Sequence, residues 1–203
     1  MGFEKDKKEY VSILEKNIEE NKKDKSRKGF VDKEILNLVN LINSIPEFYT
    51  TSSCAGRILI MGETLSGIKK DTIWYLATHD YIKKLSLEDQ IFQEMKKNKN
   101  IGNIKQESAI LHVCAKDLES AQKILDIAKF VGFKHSGIMA TKKRIMIEIM
   151  SSEKIDVPIY NGKELLISQD YLNFIIDYSN KSLKKTRIKI DKFEKKLKEQ
   201  YNI

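Results

Sequence analysis

"FYTTSSCAGRILIMGE", residues 48–63, is where the chain turns from helical to extended texture. Four hydroxyl residues, Thr50, Thr51, Ser52 and Ser53, run into Cys54, Ala55, Gly56 and Arg57, and an apolar run begins at Ile58. The β-branched and aromatic content predicts a strand over 48–63 and a second over 72–79, with Gly62 and Gly67 marking a flexible connection. In a regular strand Cys54 and Arg57 point to opposite faces, so they cooperate only if Gly56 bends the chain.

Upstream, residues 3–24 have helical spacing, with Tyr10, Ile13, Leu14, Asn17 and Ile18 along one face. Asp32 is placed as the N-cap of a second helix, 33–44, which Pro46 ends. Downstream, Ser86 opens a short helix to about Lys97, 98–103 reads as a loop, and "SAILHVCA", 108–115, as a strand. Asp117 caps a helix that stops at Gly132. Residues 136–150 form a hairpin with Lys142 and Lys143 at its tip. Its second arm alternates Ile145, Ile147 and Ile149 with Met146, Glu148 and Met150. An extended piece, 157–167, crosses the turn Asn161-Gly162. Ser168 opens a long C-terminal helix with Tyr171, Leu172, Ile175, Ile176, Leu183, Ile190, Phe193 and Leu197 on its inner side. The expectation is one α+β domain, 1–203, with a mixed sheet flanked by helices.

The 203 residues carry 37 basic and 29 acidic side chains, a net charge of +8. Residues 181–203 hold nine Lys/Arg against three Asp/Glu, and residues 30–180 hold equal numbers, so the surplus lies on the ends. A neutral centre with a basic collar suits a polyanion, and it equally suits a solvated helix. No apolar run reaches the roughly 20 residues that span a bilayer, and the N-terminus lacks an apolar signal core, so a soluble, cytoplasmic protein is expected. Cys54 and Cys114 lack CxxC or CxxH spacing, and His79 and His112 have no companion ligands at metal spacing, so no metal is expected. No G-x-G-x-x-G and no P-loop occurs.

A nucleophilic cysteine needs an activator that lowers its thiol pKa, and none is adjacent to Cys54, which reads instead as a packed or ligand-lining residue. The hydroxyl run has the stronger case. Ser52 and Ser53, with Gly56 allowing close backbone approach and Arg57 offering a bidentate fork, can seat a carboxylate or phosphate, although Thr and Ser are also ordinary edge-strand residues. His79 ends the strand "IWYLATH" and should emerge at its edge. His112 sits between Leu111 and Val113, shares a face with Ile110 and Cys114, and from that setting reads as a hydrogen-bonded core residue or a site residue. Trp74 is a stacking platform for a base or a core residue.

In order along the chain, "DKSRKGFVDKEILNLVNLIN", "FYTTSSCAGRI", "IWYLATH", "AILHVCAKDLESAQKILDIAKFVGFKHSGI", "RIMIEIMSSEKIDVPI" and "QDYLNFIIDYSNKSL" resemble the wybutosine-synthesizing protein 3 family over roughly residues 10–190. The resemblance implies an S-adenosylmethionine-dependent methyltransferase without the Rossmann methyltransferase fold. Its substrate would be phenylalanine tRNA, methylated at N4 of the tricyclic guanosine derivative beside the anticodon, which carries an aminocarboxypropyl chain. Carried over by position, it places Ser52, Ser53, Cys54, Gly56 and Arg57 in the site, with His79 and His112 at other walls. Lys28, Gly29 and Asp32 match the family's pattern before the second helix, and Glu107 matches the glutamate before the "ILHV" strand. Ala55 stands where the family usually has serine, and Ser108 where a proline usually follows the glutamate.

Methyl transfer from a sulfonium is an in-line displacement, so the expected work of the protein is alignment. Arg57 with Ser52 or Ser53 would hold the cofactor carboxylate or an RNA phosphate, and His79 or His112 would accept the proton. The rival readings are a non-catalytic protein that binds structured RNA and a cysteine-dependent hydrolase. No feature sets the oligomeric state.

Overall fold

The computed structural model describes residues 2–19, 31–63 and 72–203. The elements are α1 (Phe3–Glu19), a 3₁₀ turn (Lys33–Ile35), α2 (Leu36–Ser44), β1 (Phe48–Cys54), β2 (Arg57–Glu63), β3 (Ile73–Thr78) and α3 (Gln90–Lys97). After them come β4 (Ile101–Glu107), β5 (Ile110–Ala115), α4 (Leu118–Phe130), β6 (Gly137–Ala140), β7 (Ile145–Met150), β8 (Ile155–Tyr160) and α5 (Gln169–Tyr201). They form two compact units, one from the described residues of Met1–Ala55, Ala109–Ser152 and Arg187–Ile203, the other from those of Gly56–Ser108 and Glu153–Thr186.

The α+β class and the long C-terminal helix are as expected. The sheet is not one mixed sheet. Each unit has its own four-stranded, wholly antiparallel sheet, ordered β1-β5-β7-β6 in the first and β3-β2-β4-β8 in the second. The strand expected over 48–63 is therefore two strands in two sheets. The break is at Gly56, whose φ of 86° lies in the left-handed region that a side chain disfavours.

In the first unit one sheet face packs Phe48, Leu111, Val113, Ile147 and Ile149 against α2, α4 and the last turns of α5, through Leu38, Ile42, Ile124, Phe193 and Leu197. Each such fully buried side chain contributes about 1.5–3 kcal/mol. The opposite face is covered at one end by α1. The rings of Phe3 and Tyr10 each sit 5.3 Å from that of Tyr49, and Arg144 donates to the buried Asp6 at 2.8 Å and to the Tyr10 hydroxyl at 3.1 Å. Asp117 caps α4 as expected, accepting from the Ser120 amide at 2.8 Å, and Gly132 ends it with φ 108°. Asp32 does not cap its helix. The segment opens with a 3₁₀ turn closed by the Asp32 carbonyl, and the carboxylate accepts the Ala55 amide instead.

In the second unit Ile58, Ile60, Ile104 and Ile159 meet Phe92 and Met95 of α3 and Leu172, Ile175 and Leu183 of α5. Polar side chains of α5 pin its neighbours. Asn180 accepts from the Ile82 amide at 3.0 Å and donates to the Ile82 carbonyl at 2.8 Å, while Gln169 does the same for Leu87 (2.9 Å) and Leu85 (3.0 Å). Buried Ser182 donates to Gln106 at 2.6 Å. The loop expected at 98–103 runs into β4, and Tyr171, expected inside, is exposed. Among the described residues no helix is long and apolar enough to cross a membrane.

Candidate functional site

The hydroxyl block divides between the units. Ser52, Ser53, Cys54 and Ala55 belong to the first, and Gly56 and Arg57 to the second. Each unit gathers its own set of polar residues.

In the first unit the register across β1, β5, β7 and β6 aligns Ser52, His112, Glu148 and Gly137 in one row. A bulge in β1 between Thr50 and Ser52 creates this alignment. Without it Thr51 would face His112 and Ser52 would turn to the other face, because a one-residue slip inverts a strand. With it, Ser52 and Cys54 share the face of His112 and Ile110, while Ser53 pairs with core-facing Leu111. The row lies opposite Ile147 and Ile149, as their alternation with Glu148 implies.

Ser52 Oγ is 2.6 Å from His112 Nδ1, and His112 Nε2 is 3.1 Å from Glu148 Oε2. A carboxylate only accepts, so Nε2 carries a hydrogen toward Glu148, and in the neutral ring Nδ1 is left to accept from the serine hydroxyl. Thr51 Oγ1 donates to the His112 carbonyl at 3.4 Å. Ser52 is exposed, and His112 and Glu148 are about one-third exposed, so the chain of three opens to solvent at its hydroxyl end. A Cβ built at Gly137 would meet nothing within 4 Å among the described residues, which keeps the row uncrowded beyond Glu148. Such a serine, base and orienting carboxylate can take up and pass on a proton. Sequence reading named Ser52 and His112 but left Glu148 out of the site. The signal was there: alternation puts Glu148 on the non-isoleucine face of β7, and pairing with β5 sets it beside His112.

Next to this row Ala55 is fully buried in the first core, its amide taken by Asp32 and its carbonyl by Arg187. A methyl group suits that position, where a serine would bury its hydroxyl.

In the second unit Arg57 and Glu107 are direct cross-strand partners, with Arg57 Nε donating to Glu107 Oε2 at 2.6 Å. The guanidinium lies 5.0 Å from the ring centre of Trp74, a cation–π contact. Trp74 is 49% exposed, not core, because it stands on the face of β3 away from Ile60 and takes its cover from Arg57. His79 lies just past β3, with Nδ1 3.0 Å from the Gly56 carbonyl. A carbonyl only accepts, so Nδ1 bears the hydrogen in that contact. Lys105, on the strand of Glu107, binds Glu63 and, at 3.3 Å, Asp156. Burial works against its charge, and the two carboxylates more than offset this, so its pKa is raised. Lys28 and Gly29 lie outside the described residues.

The methyltransferase TYW3 family model matches residues 6–199. The chain is 39% identical over 196 residues to a protein of Methanocaldococcus jannaschii named tRNA(Phe) 7-((3-amino-3-carboxypropyl)-4-demethylwyosine(37)-N(4))-methyltransferase, a match covering 92% of each chain. It is 33% identical over 177 residues to the human tRNA wybutosine-synthesizing protein 3 homolog, covering 85% of this chain and 67% of that one. Among solved structures, the PH1069 protein of Pyrococcus horikoshii superposes with a TM-score of 0.83 at 33% identity, covering 97% of this chain and 96% of that one.

Proposed function

Because this chain belongs to the TYW3 methyltransferase family, we propose that it transfers a methyl group to N4 of 7-(3-amino-3-carboxypropyl)-4-demethylwyosine at position 37 of tRNA(Phe), with S-adenosylmethionine as donor. Residues 1–203 act in this reading as one functional domain. The observation that carries it is the family match over residues 6–199, joined to a methyltransferase name on a relative 39% identical over nearly the whole chain.

The donor supplies an electrophilic methyl group on a sulfonium, together with a carboxylate and an adenine. In the second unit, considered by itself, Arg57 and half-exposed Trp74 offer groups that fit parts of such a molecule. Glu107 takes the guanidinium at Nε, and the terminal amino groups form the outer end of the fork, the geometry that grips a carboxylate. An indole face beside it suits a purine. Arg57 thus serves the anion and Trp74 the ring.

Alkylation of N4 releases the hydrogen on that nitrogen, and a positioned base lowers the barrier to the transfer. Considered by itself, the first unit offers His112 for this task, with the Ser52 hydroxyl relaying the proton to Nδ1 and Glu148 holding Nε2–H. The hydroxyl passes its own hydrogen to the imidazole as it takes the one from N4, so Ser52 ends unchanged and the imidazole is charged beside a carboxylate. His79 positions the turn before Arg57 through the Gly56 carbonyl. The basic residues of the C-terminal segment hold RNA phosphates by charge.

Calorimetric titration with S-adenosylmethionine tests the donor assignment. The wild type should bind, and Arg57→Ala should bind at least tenfold more weakly while its affinity for tRNA stays within about threefold. Absence of donor binding by a folded wild type would leave an RNA-binding protein without methyl chemistry.

A further inference from the structure

The exposed side of α5 carries Tyr171, Phe174 and Tyr178 at helical spacing, with 41%, 60% and 51% of their surface exposed. Their rings associate along the helix, Tyr171 with Phe174 at 6.3 Å and Phe174 with Tyr178 at 6.0 Å, the latter pair inclined by only 14°. Among the described residues these rings have no other ring partners. Three aromatic side chains exposed together in this way lose the hydrophobic gain of burial, which marks a surface used for contact.

The same face continues into Lys181 and Lys185, both exposed, with Lys184 exposed beside them. No acidic residue occurs between Tyr178 and Ile190, and Asp177 flanks the rings. From Tyr171 to Lys185 the surface extends about 21 Å along the helix. Flat rings followed by ammonium groups match a polymer that alternates bases with phosphates: every base has a face to stack, and each phosphate a charge to pair.

We propose that this face of α5 binds unpaired nucleotides of an RNA, with bases stacked on Phe174 and Tyr178 and phosphates held by Lys181 and Lys185. The choice of polymer rests on the reading of the chain as a tRNA methyltransferase, while the stacking and charge stand on the helix itself. The contact is independent of sequence, because aromatic stacking tolerates any base. Its role is to anchor the substrate outside the residues assigned to chemistry.

The test is fluorescence anisotropy with a labelled single-stranded oligoadenylate and with unmodified tRNA(Phe) transcript, across a salt series. Phe174→Ala/Tyr178→Ala should weaken oligoadenylate binding about fivefold or more with unchanged helicity by circular dichroism. Lys181→Glu/Lys185→Glu should also weaken it and flatten the salt dependence. Oligoadenylate affinity within twofold of wild type in the aromatic variant overturns the proposal. So does loss of a concentration-dependent dimer in sedimentation without loss of RNA affinity, which would assign the face to a second copy of the chain. The two readings fail separately. If the wild type transfers no methyl group but the aromatic variant still loses RNA affinity, the methyltransferase reading falls and the binding face stands. If methylation proceeds and the aromatic variant binds RNA as the wild type does, the face falls and the reading stands.

Discussion

Ser52 Oγ reaches His112 Nδ1 at 2.6 Å because β1 carries one extra residue, Thr51, ahead of it. That bulge puts the exposed hydroxyl in line with the histidine and, through it, with Glu148 at 3.1 Å. In the proposed reaction each member has a distinct task, which separate substitutions can resolve.

Glu148→Gln preserves shape but replaces the carboxylate that fixes Nε2–H. A positioning role predicts that kcat falls tenfold or more while KM for tRNA stays within about twofold. Ser52→Ala, which breaks the relay, should follow the same pattern. Steady-state kinetics on precursor tRNA separates this from a binding role, which would raise KM and leave kcat in place.

Cys54 shares the face of Ser52 and is half-buried. No covalent step is assigned to it, so Cys54→Ala should keep its single-turnover rate within about threefold of wild type. A folded Cys54→Ala protein without activity would bring back covalent catalysis.

The second cysteine behaves differently. Cys114 is buried opposite Tyr49 on the face covered by α1, and burial pushes both the thiol and the phenol above their ordinary values of 9.0 and 10.0. A raised folded-state pKa contributes stability that is complete below the unfolded value and is lost as pH rises through the folded one. The melting temperature should therefore fall above pH 9.0, and fall less steeply in Cys114→Ala. Melting curves of the two proteins from neutral pH to about pH 11 check this, and parallel curves would remove Cys114 from the alkaline response.

Gly102 tests the second core. A Cβ there would lie 2.9 Å from Tyr160 Cβ and also meet Met95. Met95 can move, but the root of the Tyr160 side chain cannot. Gly102→Ala should lose about 1–3 kcal/mol in denaturant unfolding, and an unchanged midpoint would mean the strand yields.

Local signals made much of this architecture legible. Asp117 and Gly132 mark both ends of α4 because a cap and a left-handed glycine act within one turn of chain. The isoleucine alternation located β7 and the face of Glu148. What escaped depends on pairing. β4 reads "IGNIKQE", whose Gly102, Asn103 and Lys105 disguise a strand that two neighbours hold in the sheet. The separation of β1 from β2 rests on one glycine in a run that otherwise favours extension, and the bulge at Thr51 has no composition of its own. The apolar strand left Trp74 open between core residue and stacking platform, and only the position of Arg57 explains its half-exposed ring.

The proposed methyl transfer by this chain uses His112 as its base. The direct measurement is a single-turnover reaction of precursor tRNA(Phe) with S-adenosylmethionine, followed by mass analysis of the nucleoside at position 37, for wild type and His112→Ala. The wild type should make that nucleoside one methyl group heavier, and the variant should do so about 10²–10⁴ times more slowly. A folded wild type that leaves the nucleoside unchanged, or a variant that methylates at the wild-type rate, would contradict it.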